Sequence, residues 1–155
     1  MKKLLILTLV LLFLTGCVAE TDNISATLGT DVSGGEILIS EDSHSGFHGD
    51  GETYIVFQFR NENQFSVPEG PFWHELPLTG NLSTILYGNN QMLTDDAGNP
   101  RVPEIQNGFY FFCDRHSKST DPTKDAGLFS RNSLNFTLAV YDSDTCTLYY
   151  YEQDT

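Results

Sequence analysis

The sequence predicts a mainly β domain of the α+β class, an antiparallel sheet or two-layer sandwich of about five strands with one short helix. Three observations carry this. Leu134, Phe136, Leu138 and Val140 alternate with Asn135, Thr137, Ala139 and Tyr141, the period of a β-strand. Aromatic residues make up 12% of the chain, which suits sheets and opposes disorder. No long segments of helical periodicity alternate with the strands, as a doubly wound fold would require.

Residues 17–35 are polar, with few large apolar side chains, and read as a flexible tether. Residues 36–155 read as a single globular domain. Ile37 and Ile39 are expected to share one face of a short strand, followed by a glycine-rich loop from Glu41 to Glu52. Thr53 to Arg60 is a stronger strand, with Ile55, Phe57 and Phe59 on one face and Tyr54, Val56 and Gln58 on the other. Asn61 to Pro71 contains two prolines and forms a loop, which Phe72 and Trp73 pin to the core.

Asn81 to Tyr87 is the one segment that reads as a helix: Asn81 can cap it, and Leu82, Ile85 and Leu86 recur at helical spacing. Asn89 to Gly108 is turn-rich, with its tip at Asp95 to Asn99. Phe109 to Cys113 is apolar on both faces, as a central strand should be. Asp114 to Ser133 is a polar connection of a length that is often functional. A turn at Asp142 to Thr145 then joins the alternating strand to a last one, Cys146 to Glu152, with three consecutive tyrosines. If Tyr149 and Tyr151 face solvent, they offer a stacking platform for a glycan or a partner protein.

The N-terminus carries a different kind of signal. Lys2 and Lys3 precede an apolar run from Leu4 to Leu14 that is too short to span a bilayer comfortably. Leu14-Thr15-Gly16-Cys17 follows and resembles the lipobox of bacterial lipoproteins. The resemblance implies that residues 1–16 are a lipoprotein signal peptide and that Cys17 becomes the lipidated N-terminus. It places the domain at the extracytoplasmic face of a bacterial cell membrane and covers seventeen residues only. Loss of residues 1–16 removes two of the 8 basic residues and none of the 21 acidic ones, leaving a formal charge of −15. An anionic membrane surface repels such a body, so the acyl chains must do the tethering. The same acidity excludes nucleic acid as a partner.

Two clusters are candidates for chemistry. His44, His48, Asp50 and Glu52 lie on one glycine-rich loop, and zinc or another divalent metal accepts such ligands. Their spacing matches no established metal motif, and Asp and Gly also serve plain turns. Asp114, Arg115 and His116 sit where a buried strand opens into the long loop. A histidine beside a carboxylate is a general-base arrangement, and an arginine can grip an anion; an Asp–Arg pair fixing the loop to the sheet is the plainer reading. A chemical site, if present, is expected to join the two clusters. Cys113 and Cys146 are expected to stay unbridged, because a simple meander puts them at opposite ends of parallel-running strands. Together these features favour a membrane-anchored, surface-exposed, non-catalytic binding domain with no cofactor. A metal-dependent or His-based hydrolase, and a small inhibitor or immunity-type protein for a basic target, are the alternatives.

Overall fold

The computed structural model describes residues 20–44, 49–88 and 92–155; residues 1–16, expected to be a signal peptide, Cys17 and His48 lie outside them. The chain forms a mainly β fold around one open antiparallel sheet. Its strands are β1 (Glu36–Asp42), β2 (Gly51–Gln58), β3 (Trp73–Glu75), β4 (Gly108–Asp114), β5 (Asn135–Asp142) and β6 (Thr147–Asp154). They lie in the order β1-β2-β6-β5-β4-β3. The expected count of about five strands becomes six because the three-residue β3 pairs with β4 as an edge. The sandwich alternative gives way to a single sheet with cover on both sides.

Strand alternation divides the core into two halves. Tyr54 and Val56 of β2, Tyr151 of β6, Leu138 and Val140 of β5, and Phe112 of β4 build one face. Ile55 and Phe57, Leu148 and Tyr150, Ala139 and Tyr141, and Phe111 build the other. The registers line these residues up across the sheet. One row runs Ile55, Tyr150, Ala139, Phe111, Trp73. Ala139 is the one small residue in that row. Both faces of these strands must therefore be covered, and each receives a helix.

Helix α2 (Gly80–Tyr87) covers the first face with Leu82, Ile85 and Leu86. It begins one residue before the expected start, and its cap is Thr79, whose Oγ1 accepts from the Leu82 amide at 3.3 Å. Asn81 instead donates to the Asp125 carbonyl at 3.1 Å. The second face is covered by residues that read as a tether. Residues 20–28 form helix α1. Its Ile24 and Leu28, with Val32 beyond it, are at most 4% exposed and pack with Ile55, Phe57 and Tyr150. The Trp73 indole donates to the Leu28 carbonyl at 2.9 Å and fastens the end of the helix. The apolar positions are few, but they recur four residues apart and so share one side of a helix. The sheet supplies the burial that this weak pattern could not supply by itself.

One further correction follows from the register. The pairing of β1 with β2 shifts between Ile37 and Ile39, so Ile37 stands opposite Phe57 and Ile39 opposite Val56. This bulge puts the two isoleucines on opposite faces rather than one. Tyr150 and Tyr151 are each 2% exposed and Tyr149 is partly buried, so β6, paired on both sides, offers no tyrosine platform to solvent. At the start of β4, a Cβ on Gly108 would lie 1.9 Å from the Tyr141 carbonyl oxygen, so only glycine fits there.

β4 and β6 flank β5 and run parallel to each other. Cys113 lies level with Thr137 and Glu152 at one end, while Cys146 precedes Thr147 at the other, and both are free. Burial raises the Cys113 thiol pKa. In a Cys17→Ser protein, denatured without reductant, both remaining cysteines should react with a thiol reagent; blocked thiols would require a different strand order. Leu28→Ala should destabilise by about 2–4 kcal/mol in urea unfolding, the cost of emptying a core position. A change below about 0.5 kcal/mol would return α1 to the status of a tether.

Candidate functional site

The ends of β1, β2, β6 and β5 that lie farthest from the β5–β6 turn carry polar side chains on the α1 face. Register decides which they are. Asp42 pairs with Thr53, Thr53 with Glu152, Glu152 with Thr137, and Asp154 with Asn135. Arg115, the residue after β4, reaches over the same corner. His44 enters from the loop that follows β1.

His44 is held from both sides. Its Nδ1 is 2.6 Å from Asp42 Oδ1, and its Nε2 is 3.2 Å from Asp154 Oδ2. Its backbone amide also donates to Asp42 Oδ1 at 2.9 Å. The hydrogen bond with Asp42 raises the His44 pKa above its ordinary value; burial opposes this, and Asp154 adds to it. The Asp42 pKa is lowered, first by the amide of His44 and then by its ring. A Cβ on Gly51 would come within 2.6 Å of the His44 Cα, so glycine is needed for the loop to close this tightly.

Asp154 is shared. Arg115 approaches its two oxygens at 3.0 and 3.1 Å, and Asn135 Nδ2 donates to it at 3.2 Å. Arg115 also donates to the Phe136 carbonyl at 3.2 Å and lies 4.0 Å from Glu152, which accepts from Thr137 Oγ1 at 3.1 Å. The guanidinium is thus engaged by carboxylates and a carbonyl of the fold. The chain from Asp42 through His44 and Asp154 to Arg115 alternates in sign when His44 is protonated, and it ties the β1–β2 loop to the C-terminal strand.

The structure therefore brings His44 and Arg115 together but separates the other expected members. Asp114 precedes Arg115, so its side chain emerges on the opposite face, 4% exposed, and pairs with Arg131 at 2.9 Å. Asp114 does pair with an arginine of the loop, but that arginine is Arg131 rather than the adjacent Arg115. His116 Nδ1 accepts from the Lys118 amide at 3.0 Å, which leaves the proton on Nε2, 3.0 Å from Ser133 Oγ. Glu52 lies on the α2 face beside Tyr151, whose pKa burial and this neighbour raise. Asp50 is an exposed loop residue.

Among the described residues, no group of three or more His, Cys, Asp or Glu side chains is arranged to hold a metal ion. The carboxylates on His44 sit at opposite ring nitrogens, so Asp42 and Asp154 cannot meet on one ion with it. Sequence reasoning missed Asp42, Asp154 and Arg131. The usable signal was parity: Glu152 and Asp154 are two apart, as are Asn135 and Thr137 on the paired strand. Comparison with known families, known proteins and solved structures finds no match to this chain. The chemistry of the site therefore rests on its geometry.

The sign of the pH dependence follows from the shifts. Asp42, depressed in the fold, contributes stability above its unfolded pKa that is lost as pH falls through the folded value. His44, raised in the fold, contributes stability that is complete below its unfolded pKa of about 6.5 and lost as pH rises through its folded value. The clamp should be strongest between these limits, at mildly acidic pH. Proton NMR should find His44 titrating above 6.5, and Asp42→Asn should bring it down; an unshifted His44 would mean that the clamp does not form in solution.

Proposed function

We propose that this chain is a lipid-anchored, extracytoplasmic interaction domain without catalytic activity. The observation that carries the non-catalytic reading is the engagement of both ring nitrogens of His44 and of His116 within the fold. A general base needs a free lone pair facing substrate, and a metal ligand needs a free nitrogen. His44 between two carboxylates offers neither, and His116 spends its lone pair on a backbone amide. Cys113, with its thiol pKa raised, is a poor nucleophile. These are the roles of residues that fasten loops.

The anchoring reading rests on the lipobox and on the nearness of α1. Residue 20, three positions beyond Cys17, already lies in the helix. Three residues span at most about 10 Å, so an acylated Cys17 would hold the packed domain close to the membrane rather than on a long leash. The acidic body supplies no attraction of its own.

Fractionation of expressing cells tests this. The wild-type chain should incorporate a labelled fatty acid and sediment with membranes. Cys17→Ser should lose the label and appear in the soluble fraction. A Cys17→Ser chain that stays acylated and membrane-bound defeats the anchoring reading.

A further inference from the structure

The loop between β4 and β5 contains a concavity that the His44 clamp does not use. It encloses about 460 Å³ and is lined by Asp114, Lys118, Ser119, Asp121, Lys124 and Arg131, among others. We propose that it binds the phosphate group of a small phosphorylated molecule.

Charge is the first argument. The chain holds 8 basic residues against 21 acidic ones, yet the walls of this pocket carry three cations against two carboxylates. The buried Asp114 neutralises Arg131. Asp121 accepts from the amide and hydroxyl of Thr123, at 3.0 and 2.7 Å. Among the described residues, neither Lys118 nor Lys124 has a carboxylate within ion-pair distance. Lys124 is near enough to Asp121 to help lower that carboxylate's pKa, yet neither lysine is drawn into a close ion pair. Two such ammonium groups at one concavity suit a dianion, and lysine serves phosphate as a compact point charge.

Ser119 is the second argument. Ser119 lines the pocket, and its Oγ is buried beneath the surface with no hydrogen-bond partner among the described residues. A buried hydroxyl without a partner is costly and calls for an explanation. A χ1 rotation that turns the hydroxyl into the concavity would let it donate to a phosphate oxygen. The neighbouring walls are held in place beforehand, which lowers the cost of ordering them on binding. Arg131 Nε donates to the Gly127 carbonyl at 3.0 Å, His116 joins Ser133 at 3.0 Å, and Asp125 accepts from the helix cap Thr79. The volume exceeds that of a phosphate ion alone and falls within the range of small-molecule sites, about 300–1,000 Å³. The ligand is therefore a phosphomonoester with a sugar-sized body, free or at a lipid headgroup.

Calorimetry on the full chain in neutral detergent tests this with glucose 6-phosphate, glucose, inorganic phosphate and dihexanoyl phosphatidate. Binding of at least one phosphorylated organic probe is expected, tighter than about 1 mM, with none for glucose. Raising the salt should weaken it. Lys118→Ala/Lys124→Ala should weaken it at least about tenfold, because both charge-assisted contacts are lost. Both lysines are exposed, so the melting temperature should not move. Ser119→Ala, which leaves the charges intact, should weaken it several-fold. Preference for the sugar phosphate marks a soluble ligand, and preference for phosphatidate marks a headgroup; either supports the site. Absence of phosphate-dependent binding, or equal binding by the double variant, overturns it.

Discussion

Four adjacent strands, β2, β6, β5 and β4, leave almost no face for water. Antiparallel sheets commonly keep one face solvated, and hairpin sequences then alternate apolar with polar residues. Here both parities are apolar along much of the sheet: Phe112 and Leu138 meet α2, while Phe111 and Ala139 meet the α1 side. Any element that covers only one face would leave rows of Phe, Tyr and Ile exposed. The helices and loops are placed by that requirement. Residues 20–32 are ordered because the second face needs a lid, not because their own pattern is strong.

The margins of the sheet are treated differently. β1 is exposed along most of its length, carries Glu36, Glu41 and Asp42, and is interrupted by a bulge near Leu38. β3, the opposite edge, is three residues long. Acidic side chains, a bulge and a short strand all discourage pairing with another chain. Glu41 also holds Arg101 through two bonds of 2.6 and 2.7 Å, with the guanidinium 4.2 Å above the Tyr54 ring. That contact fastens the 92–107 loop across β1 and β2. Burial of the phenol beneath it pushes the Tyr54 pKa up to about 12.

In so acidic a chain, the basic residues do specific work. Arg101, Arg115 and Arg131 each tie a loop or strand end to a carboxylate of another element. The clamp at His44 is built the same way, with an imidazole between two carboxylates in place of a guanidinium. Lys118 and Lys124 form no such tie among the described residues, and they stand together at one pocket. The arginines hold the fold, whereas the two lysines line a cavity, where the proposed phosphate site would use their charge.

The sequence by itself determined the local features. Period-two alternation defined β2 and β5, turn residues the turn at Asp142, helical spacing the helix around Leu82, and a simple meander the opposite ends occupied by Cys113 and Cys146. These follow from contacts between near neighbours or along one hairpin. The sequence also named His44 and Arg115 as residues of interest. It did not reveal that they meet through Asp154, that Asp114 turns away to Arg131, or that residues 20–28 fold against the sheet. Each of these depends on which strands lie side by side. The register of β6 between β2 and β5 brings Asp154 to His44 across 110 positions of sequence. Periodicity tells which face a side chain takes along its own strand; the neighbour on that face is decided when distant strands pair.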